Sequence, residues 1–347
     1  MVEAVPLGDG PVEVVMEKAP SMGRAMACAA AAGLAIGAGI KVRKARRHDA
    51  EHPFLEWDGP ADLSVDVGVA SIGLPIRYWR TDCFMGLFPA DYGAVRELLP
   101  SSRLYPVRLP GGRALVGVVA YNYLETGVGP YGEIGISPLC TLDRAAPPLL
   151  PLVQGYRHGV SGFVSHLPVT SRIAREAGRR VWGYPKFVAD MDFDLRPEHQ
   201  QVTLAEGGSE ILRLDVRRSG HVALERTRLT TFTVHDGRLV RTTVVTRAHV
   251  ATALGSPGGA LALGDHPVGR ALAGLGLSTT PVLTRTYLTH SAILPAGEDI
   301  GPSDRAYTGY EGADREFGRH TVRYDDRAVR VVTESLPSLV AAPGGKE

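Results

Sequence analysis

Several common signatures are missing from this chain. Its 347 residues contain three cysteines, Cys28, Cys83 and Cys140, an odd number without metal-type spacing. Such usage suits a reducing compartment better than a disulfide framework. The eleven histidines make no HExxH or other paired ligand pattern, so no metal is expected. An excess of one charge is also lacking: 38 basic against 37 acidic side chains leave a net +1. That balance offers no electrostatic footprint for a nucleic acid partner. No internal repeat is visible. The apolar run Ala25–Ile40 stops at sixteen residues, short of the ~20 that a spanning helix needs.

What is present is turn chemistry and apolar bulk. With 41 glycines, 25 prolines and 44% hydrophobic residues, the chain favours many short strands around one large core or two modest ones. Residues 1–24 read as a flexible N-terminus, and 25–60 as an Ala/Gly-rich apolar segment followed by a basic linker. Ala29, Gly33 and Gly37 recur at i, i+4 and i+8, a close-packing face. Lys41, Arg43, Lys44, Arg46 and Arg47 follow at once. Three readings fit the run: a soluble Ala-rich helix, a membrane-associated segment over residues 25–47, or a targeting peptide. Positive charge after the run rather than before it argues against secretion. The expected location is cytoplasmic, with membrane association through residues 25–47 as the alternative.

Strands are predicted over 77–88, 113–126, 131–137, 188–195 and 282–294, with a strand pair within 155–167. A helix is predicted over 91–99, with Asp91 as N-cap and Pro100 as stop, and another over 171–178, ending at Gly178. Residues 265–276 form a short turn or helix. Hairpins turn at Gly207-Gly208 and at Asp236-Gly237, the latter a type I′ signal between β-branched flanks. One more strand is expected near 327–332, and a loose tail from Ser335. The class is α+β, mainly β, an antiparallel barrel-like sheet with short flanking helices. The main domain spans 61–300 and a C-terminal extension spans 301–347.

The most unusual stretch is Gly178–Leu195, GRRVWGYPKFVADMDFDL. Lys186 follows a Gly-Tyr-Pro turn and is framed by Trp182, Tyr184 and Phe187. Proline fixes its own φ and biases Tyr184 towards extended backbone, so the amine is presented from a rigid frame. Aromatic walls that exclude water disfavour the ammonium form. Only the neutral amine attacks a ketone, and bringing it from about 10.4 to near neutrality takes roughly 4–5 kcal/mol of differential solvation. Lys186 is thus a candidate Schiff-base nucleophile. The same residues fit a second description, a strand-start lysine whose stem lies over aromatics while its head stays in water. His158 and His166, nearest in sequence, read as ordinary loop or strand histidines.

The pattern G-R-x-x-x-G-[YF]-P-K, with eight residues from Gly178 to Lys186, resembles the acetoacetate decarboxylase family. Gly264–Gly276 and Tyr287–Glu298 resemble that family's closing segments. The likeness covers roughly residues 75–300. It implies a cone-shaped β-barrel with flanking helices, a small oxo acid as substrate, no cofactor and a homo-oligomer.

It also implies that Lys186 forms the imine. An arginine early in the barrel, placed at Arg80, would hold the substrate carboxylate, and Glu133 of Tyr131-Gly132-Glu133 would be its acidic partner. Tyr131, Trp182, Tyr184 and Phe187 are the expected substrate-contacting residues. Read alone, Glu133 equally suits an exposed strand carboxylate, and Arg80 a surface arginine. Two departures stand out. Phe187 takes the place of the family's common second lysine, and Val118 stands where the prototype has a cavity acid. The implied activity is decarboxylation of a small or medium β-oxo acid through a Lys186 imine. Imine-dependent aldol or dehydration chemistry uses the same lysine. A non-catalytic barrel holding an apolar or carboxylated ligand, with Lys186 as counter-ion, is the reading from a different class.

Overall fold

The computed structural model describes residues 63–151, 159–255 and 258–324, together with the backbone of 327–330. The expectations for residues 1–60, for the tail from Ser335 and for His158 fall outside the described residues. No helix among the described residues is long and apolar enough to cross a membrane.

Two hairpin-rich sheets make the fold. The larger is built on long strands: β3 (Ile76–Ala90), β5 (Ala114–Thr126), β6 (Tyr131–Pro138), β8 (Val160–Phe163), β12 (His221–His235), β13 (Arg238–Leu254) and β15 (Leu283–Leu294). They run in the order β6-β5-β3-β15-β13-β12-β8, and β16 (Glu298–Pro302) pairs with β13. All of these pairings are antiparallel except β8 with β12. The sheet curls: isolated bridges Glu133–Val169 and Ile136–His166 join β6 to the chain that follows β8, and Leu139–Gly162 joins the residue after β6 to β8 itself. The result is the barrel-like curl that the strand pattern and the family resemblance implied.

The second sheet runs β14 (Gly259–Leu263), β11 (Ser209–Arg217), β10 (His199–Glu206), β9 (Asp190–Leu195), β17 (His320–Tyr324), β18 (Arg327–Arg330). Phe84, Phe88, Val118 and Ile134 of the large sheet pack on Met191, Phe193, Val202 and Leu214 of this one. The opposite face of the large sheet forms the barrel interior. The short strands β1 (Leu63–Asp66) and β2 (Ser71–Leu74) pair with each other, as do β4 (Leu104–Pro106) and β7 (Cys140–Leu142).

The expected turns are present. Asp236 and Gly237 have φ of 51° and 73°, the backbone a type I′ hairpin demands. Helix α1 (Tyr92–Leu98) is capped by Asp91, whose carboxylate accepts from the Ala94 amide at 2.8 Å. Helix α3 (Pro267–Gly274) is capped by His266. Helix α2 spans Arg172–Trp182 and ends at Gly183, φ 65°, not at Gly178 as the pattern suggested. The stretch beyond 300 is built into the fold, because β17 is inserted between β9 and β18.

Two interior imidazoles make the fold acid-sensitive. His290 is 7% exposed and His320 is 1% exposed. Neither ring nitrogen of His320 finds a hydrogen-bond partner among the described residues. Burial lowers both groups from 6.5 to about 4. Each therefore takes up its proton on unfolding between those values. Stability is complete above about pH 6.5 and falls as pH drops towards 4, by up to about 1.4 kcal/mol per pH unit for each histidine. His320→Leu is expected to flatten that decline by about one proton, measured from urea midpoints across pH 7 to 4.5.

Candidate active site

Helix α2 delivers the lysine. Ser171 caps its start, accepting from the Ala174 amide at 3.4 Å. At its end Gly183 adopts left-handed backbone where a Cβ would lie 2.3 Å from the Val234 carbonyl oxygen, so a side chain is doubly excluded. The chain then reverses: the Tyr184 amide donates to the Gly178 carbonyl at 3.0 Å, and the Lys186 amide donates to the Tyr184 carbonyl at 2.7 Å around Pro185. Arg179 Nε secures the Lys186 carbonyl at 2.6 Å. The amides of Leu167 and Val169 donate to the carbonyls of Pro185 and Phe187, which lays the lysine segment beside the strand that bridges β6.

From this frame the Lys186 side chain enters the barrel interior across Gly178. A Cβ on Gly178 would come within 2.5 Å of Lys186 Cδ and 2.6 Å of Cε. This glycine is a helix-interior gap that the lysine stem fills, which explains its place in the motif. Lys186 Nζ lies 2.7 Å from Glu133 Oε2, with the two residues 5% and 7% exposed. The Tyr123 hydroxyl donates to Glu133 Oε1 at 3.1 Å. The amine sits 5.6 Å from the Tyr131 ring centre and 5.9 Å from that of Tyr184, at the outer reach of cation–π attraction.

The hydroxyls of Tyr78 and Tyr131 are 3.3 Å apart, and Tyr184 bonds Thr231 at 2.8 Å. Burial, reinforced by the Glu133 charge, raises the hydroxyl pKa of Tyr78, Tyr123 and Tyr131. They remain protonated hydroxyls. Trp182 donates its indole N–H to the Pro295 carbonyl at 2.8 Å. Together Tyr78, Tyr131, Gly178, Trp182, Tyr184 and Lys186 line a tightly filled hollow of about 10 Å³, room for about one water.

Of the residues singled out in the sequence, Lys186, Glu133, Tyr131, Trp182 and Tyr184 come together here. Arg80 does not. It is exposed and lies between register shifts in the pairing of β3 with β5. An irregularity of this kind changes which face successive residues present, so Tyr78 is turned inward while Arg80 is left outside. Phe187 is also corrected: it is fully buried in the core between the sheets, because neighbours on extended backbone face opposite ways. Val118 lies in that same core. The position counted as a missing cavity acid is on the far face of β5, and Tyr121 and Tyr123 occupy the near one.

Tyr78, Tyr123 and Gly178 were not foreseen as site residues. The alternation in Tyr121-Asn122-Tyr123 was the available signal for one of them.

Glu133→Gln keeps the shape but removes the counter-charge and the proton acceptor. A stranded buried charge costs about 3–5 kcal/mol, so a large fall in the urea midpoint at pH 7 is expected. Turnover is expected to fall roughly 10²–10⁴-fold, the range for losing an acid–base group.

The site is thus a buried lysine paired with a carboxylate inside a curled antiparallel sheet. The family model described as acetoacetate decarboxylase matches residues 69–294, and the chain belongs to that family. No curated protein sequence matches it.

Among solved structures the chain is similar to the enduracididine biosynthesis enzyme MppR. In complex with the condensation product of pyruvate and imidazole 4-carboxaldehyde, that enzyme is 15% identical, with 70% of this chain and 97% of that one covered and a TM-score of 0.51. With pyruvate the figures are 16%, 66%, 91% and 0.50. The acetoacetate decarboxylase of Legionella pneumophila is 15% identical, covering 71% of this chain and 94% of its own, with a TM-score of 0.49.

Proposed function

We propose that the chain is a Schiff-base lyase that decarboxylates a small or medium β-oxo carboxylic acid through an imine at Lys186. The observation that carries this reading is the 2.7 Å contact between the buried Lys186 amine and Glu133. Glu133 takes a proton from the ammonium, and the freed amine adds to the ketone carbon. Glu133 then returns the proton to the carbinolamine oxygen as water leaves, giving the iminium. Loss of CO2 places the electron pair of the broken carbon–carbon bond into that iminium as an enamine. Protonation at carbon and hydrolysis then release the ketone and restore Lys186. The uncharged hydroxyls of Tyr78 and Tyr131 are donors for the substrate's oxygens, and the side chains around the hollow must part to admit a substrate.

A second reading, imine-dependent aldol or dehydration chemistry on an oxo acid, draws on a specific observation. Among the described residues lining the hollow, Lys186 is the only cation, so no arginine fixes a carboxylate beside the imine. The MppR complexes with pyruvate and with a pyruvate condensation product fit the same view. A panel of α- and β-oxo acids, followed for CO2 release and for substrate consumption, tests both. CO2 release supports decarboxylation, and consumption without CO2 supports the second reading. No turnover of any member contradicts both.

A further inference from the structure

Residues 307–319 carry no helix or strand, yet they are anchored along the back of the lysine segment, and they lie beyond the family match at 69–294. The Tyr310 ring meets Phe187 edge to face, with centres 4.9 Å apart. A Cβ on Gly312 would fall 2.7 Å from Phe187 Cβ and 2.9 Å from Glu206 Oε1, so the strap presses directly on the residue next to Lys186.

Glu206, on β10 of the second sheet and 8% exposed, is where the strap is tied down. Its carboxylate accepts from the Tyr310 hydroxyl at 2.8 Å and the Ala313 amide at 2.8 Å. It also accepts from His266 Nε2 at 3.1 Å. His266 Nδ1 is engaged by the Val268 amide, which leaves Nε2 to donate. Arg179 completes the link, with Nη2 on the Glu311 carbonyl at 2.9 Å and Nε on the Lys186 carbonyl at 2.6 Å. At its far end the Gly318 amide donates to the Thr170 carbonyl at 3.0 Å.

We propose that Tyr310 and Glu206 are positioning residues for the lysine: through Phe187 and Arg179 the strap sets how the Lys186 amine is placed against Glu133. This rests on the reading of Lys186 as the imine-forming residue. The mechanics are direct. Lys186 and Phe187 share one rigid stretch of backbone and face opposite ways, so pressure on Phe187 from behind fixes the amine in front. Reactive groups need placement within a fraction of an ångström, and a misplacement of about 1 Å costs on the order of 100-fold in rate.

The test uses full-length Tyr310→Ala, Tyr310→Phe and Glu206→Gln. Tyr310→Phe keeps the ring on Phe187 and loses only the tie to Glu206, so it stays informative should Tyr310→Ala fold poorly. Two readouts are taken on folded protein. The first is kcat and KM with an oxo acid that the wild type turns over. The second needs no substrate: the rate at which Lys186 is modified by trinitrobenzenesulfonate at pH 8, mapped by peptide mass.

Expected for Tyr310→Ala is a kcat roughly 10- to 100-fold lower with KM changed by less than about threefold, and Lys186 labelling at least about fivefold faster. Tyr310→Phe and Glu206→Gln are expected to be intermediate. Lower melting temperature with unchanged kcat and unchanged labelling would mean that the strap only stabilises the fold, and would overturn the proposal. If the wild type turns over no oxo acid, the proposed function fails, while unequal labelling of Lys186 still upholds the brace and equal labelling still refutes it.

Discussion

Lys186→Ala is expected to lower turnover of the preferred oxo acid by on the order of 10⁴-fold or more, while the protein still folds. Loss of a covalent nucleophile removes the whole imine path rather than one contact, and single nucleophile deletions elsewhere cost up to about 10⁶-fold. The fold survives for a definite reason. The orphaned Glu133 carboxyl keeps its hydrogen bond from the Tyr123 hydroxyl at 3.1 Å. Urea unfolding should show a loss for Lys186→Ala of the same order as for Glu133→Gln, because each breaks the same buried pair. Steady-state kinetics beside circular dichroism check the first half, and paired urea titrations check the second.

Gly178→Ala is the second large effect, and its direction runs against helix propensity. In an exposed helix interior that change stabilises by about 1 kcal/mol. Here the added methyl would occupy space held by the Lys186 stem, with 2.5 Å and 2.6 Å approaches to Cδ and Cε. The stem must move, and the amine leaves its 2.7 Å contact with Glu133. A roughly 100-fold fall in kcat is expected, with a melting temperature changed far less than overpacking of a rigid core would change it, because the clashing atoms belong to a flexible chain. Kinetics and thermal unfolding of the one variant decide both points. Normal kcat would mean that the lysine stem does not need that gap.

These two residues also show what was legible in the sequence. The Gly-Tyr-Pro-Lys turn and the Tyr-Gly-Glu strand are readable because each is local: a fixed φ at proline and alternation along one strand. Their meeting was implied only by the family resemblance, since a long-range ion pair between residues 133 and 186 leaves no periodic trace. Gly178 was misread as a helix end for an instructive reason. Glycine marks C-caps, but it also marks places where something crosses a helix closely, and the two look alike until the lysine stem is placed.

Arg80 failed on strand register. Counting positions along β3 assumes strict alternation, and the shifts in register on either side of Arg80 break it. Tyr78 and Tyr123 entered unannounced because the register of β3 against β5 decides which rings line the interior. Phe187 faces away from the lysine because neighbours on extended backbone point to opposite sides. What lay behind it, a strap more than 120 residues further along the chain, was not foreshadowed by any local pattern.

One amine and its partner carry the account, so the most direct measurement is borohydride trapping. The full-length protein is incubated with each oxo acid of the panel, reduced, digested and mapped by mass. A stable adduct on the peptide bearing Lys186, absent from Lys186→Ala, is the predicted result: the mass of the ketone left after CO2 loss, less one oxygen, for a decarboxylated acid, and of the intact oxo acid, less one oxygen, for one that keeps its carboxylate. An adduct on other lysines alone, or none across the panel while Lys186 stays unmodified, would contradict it.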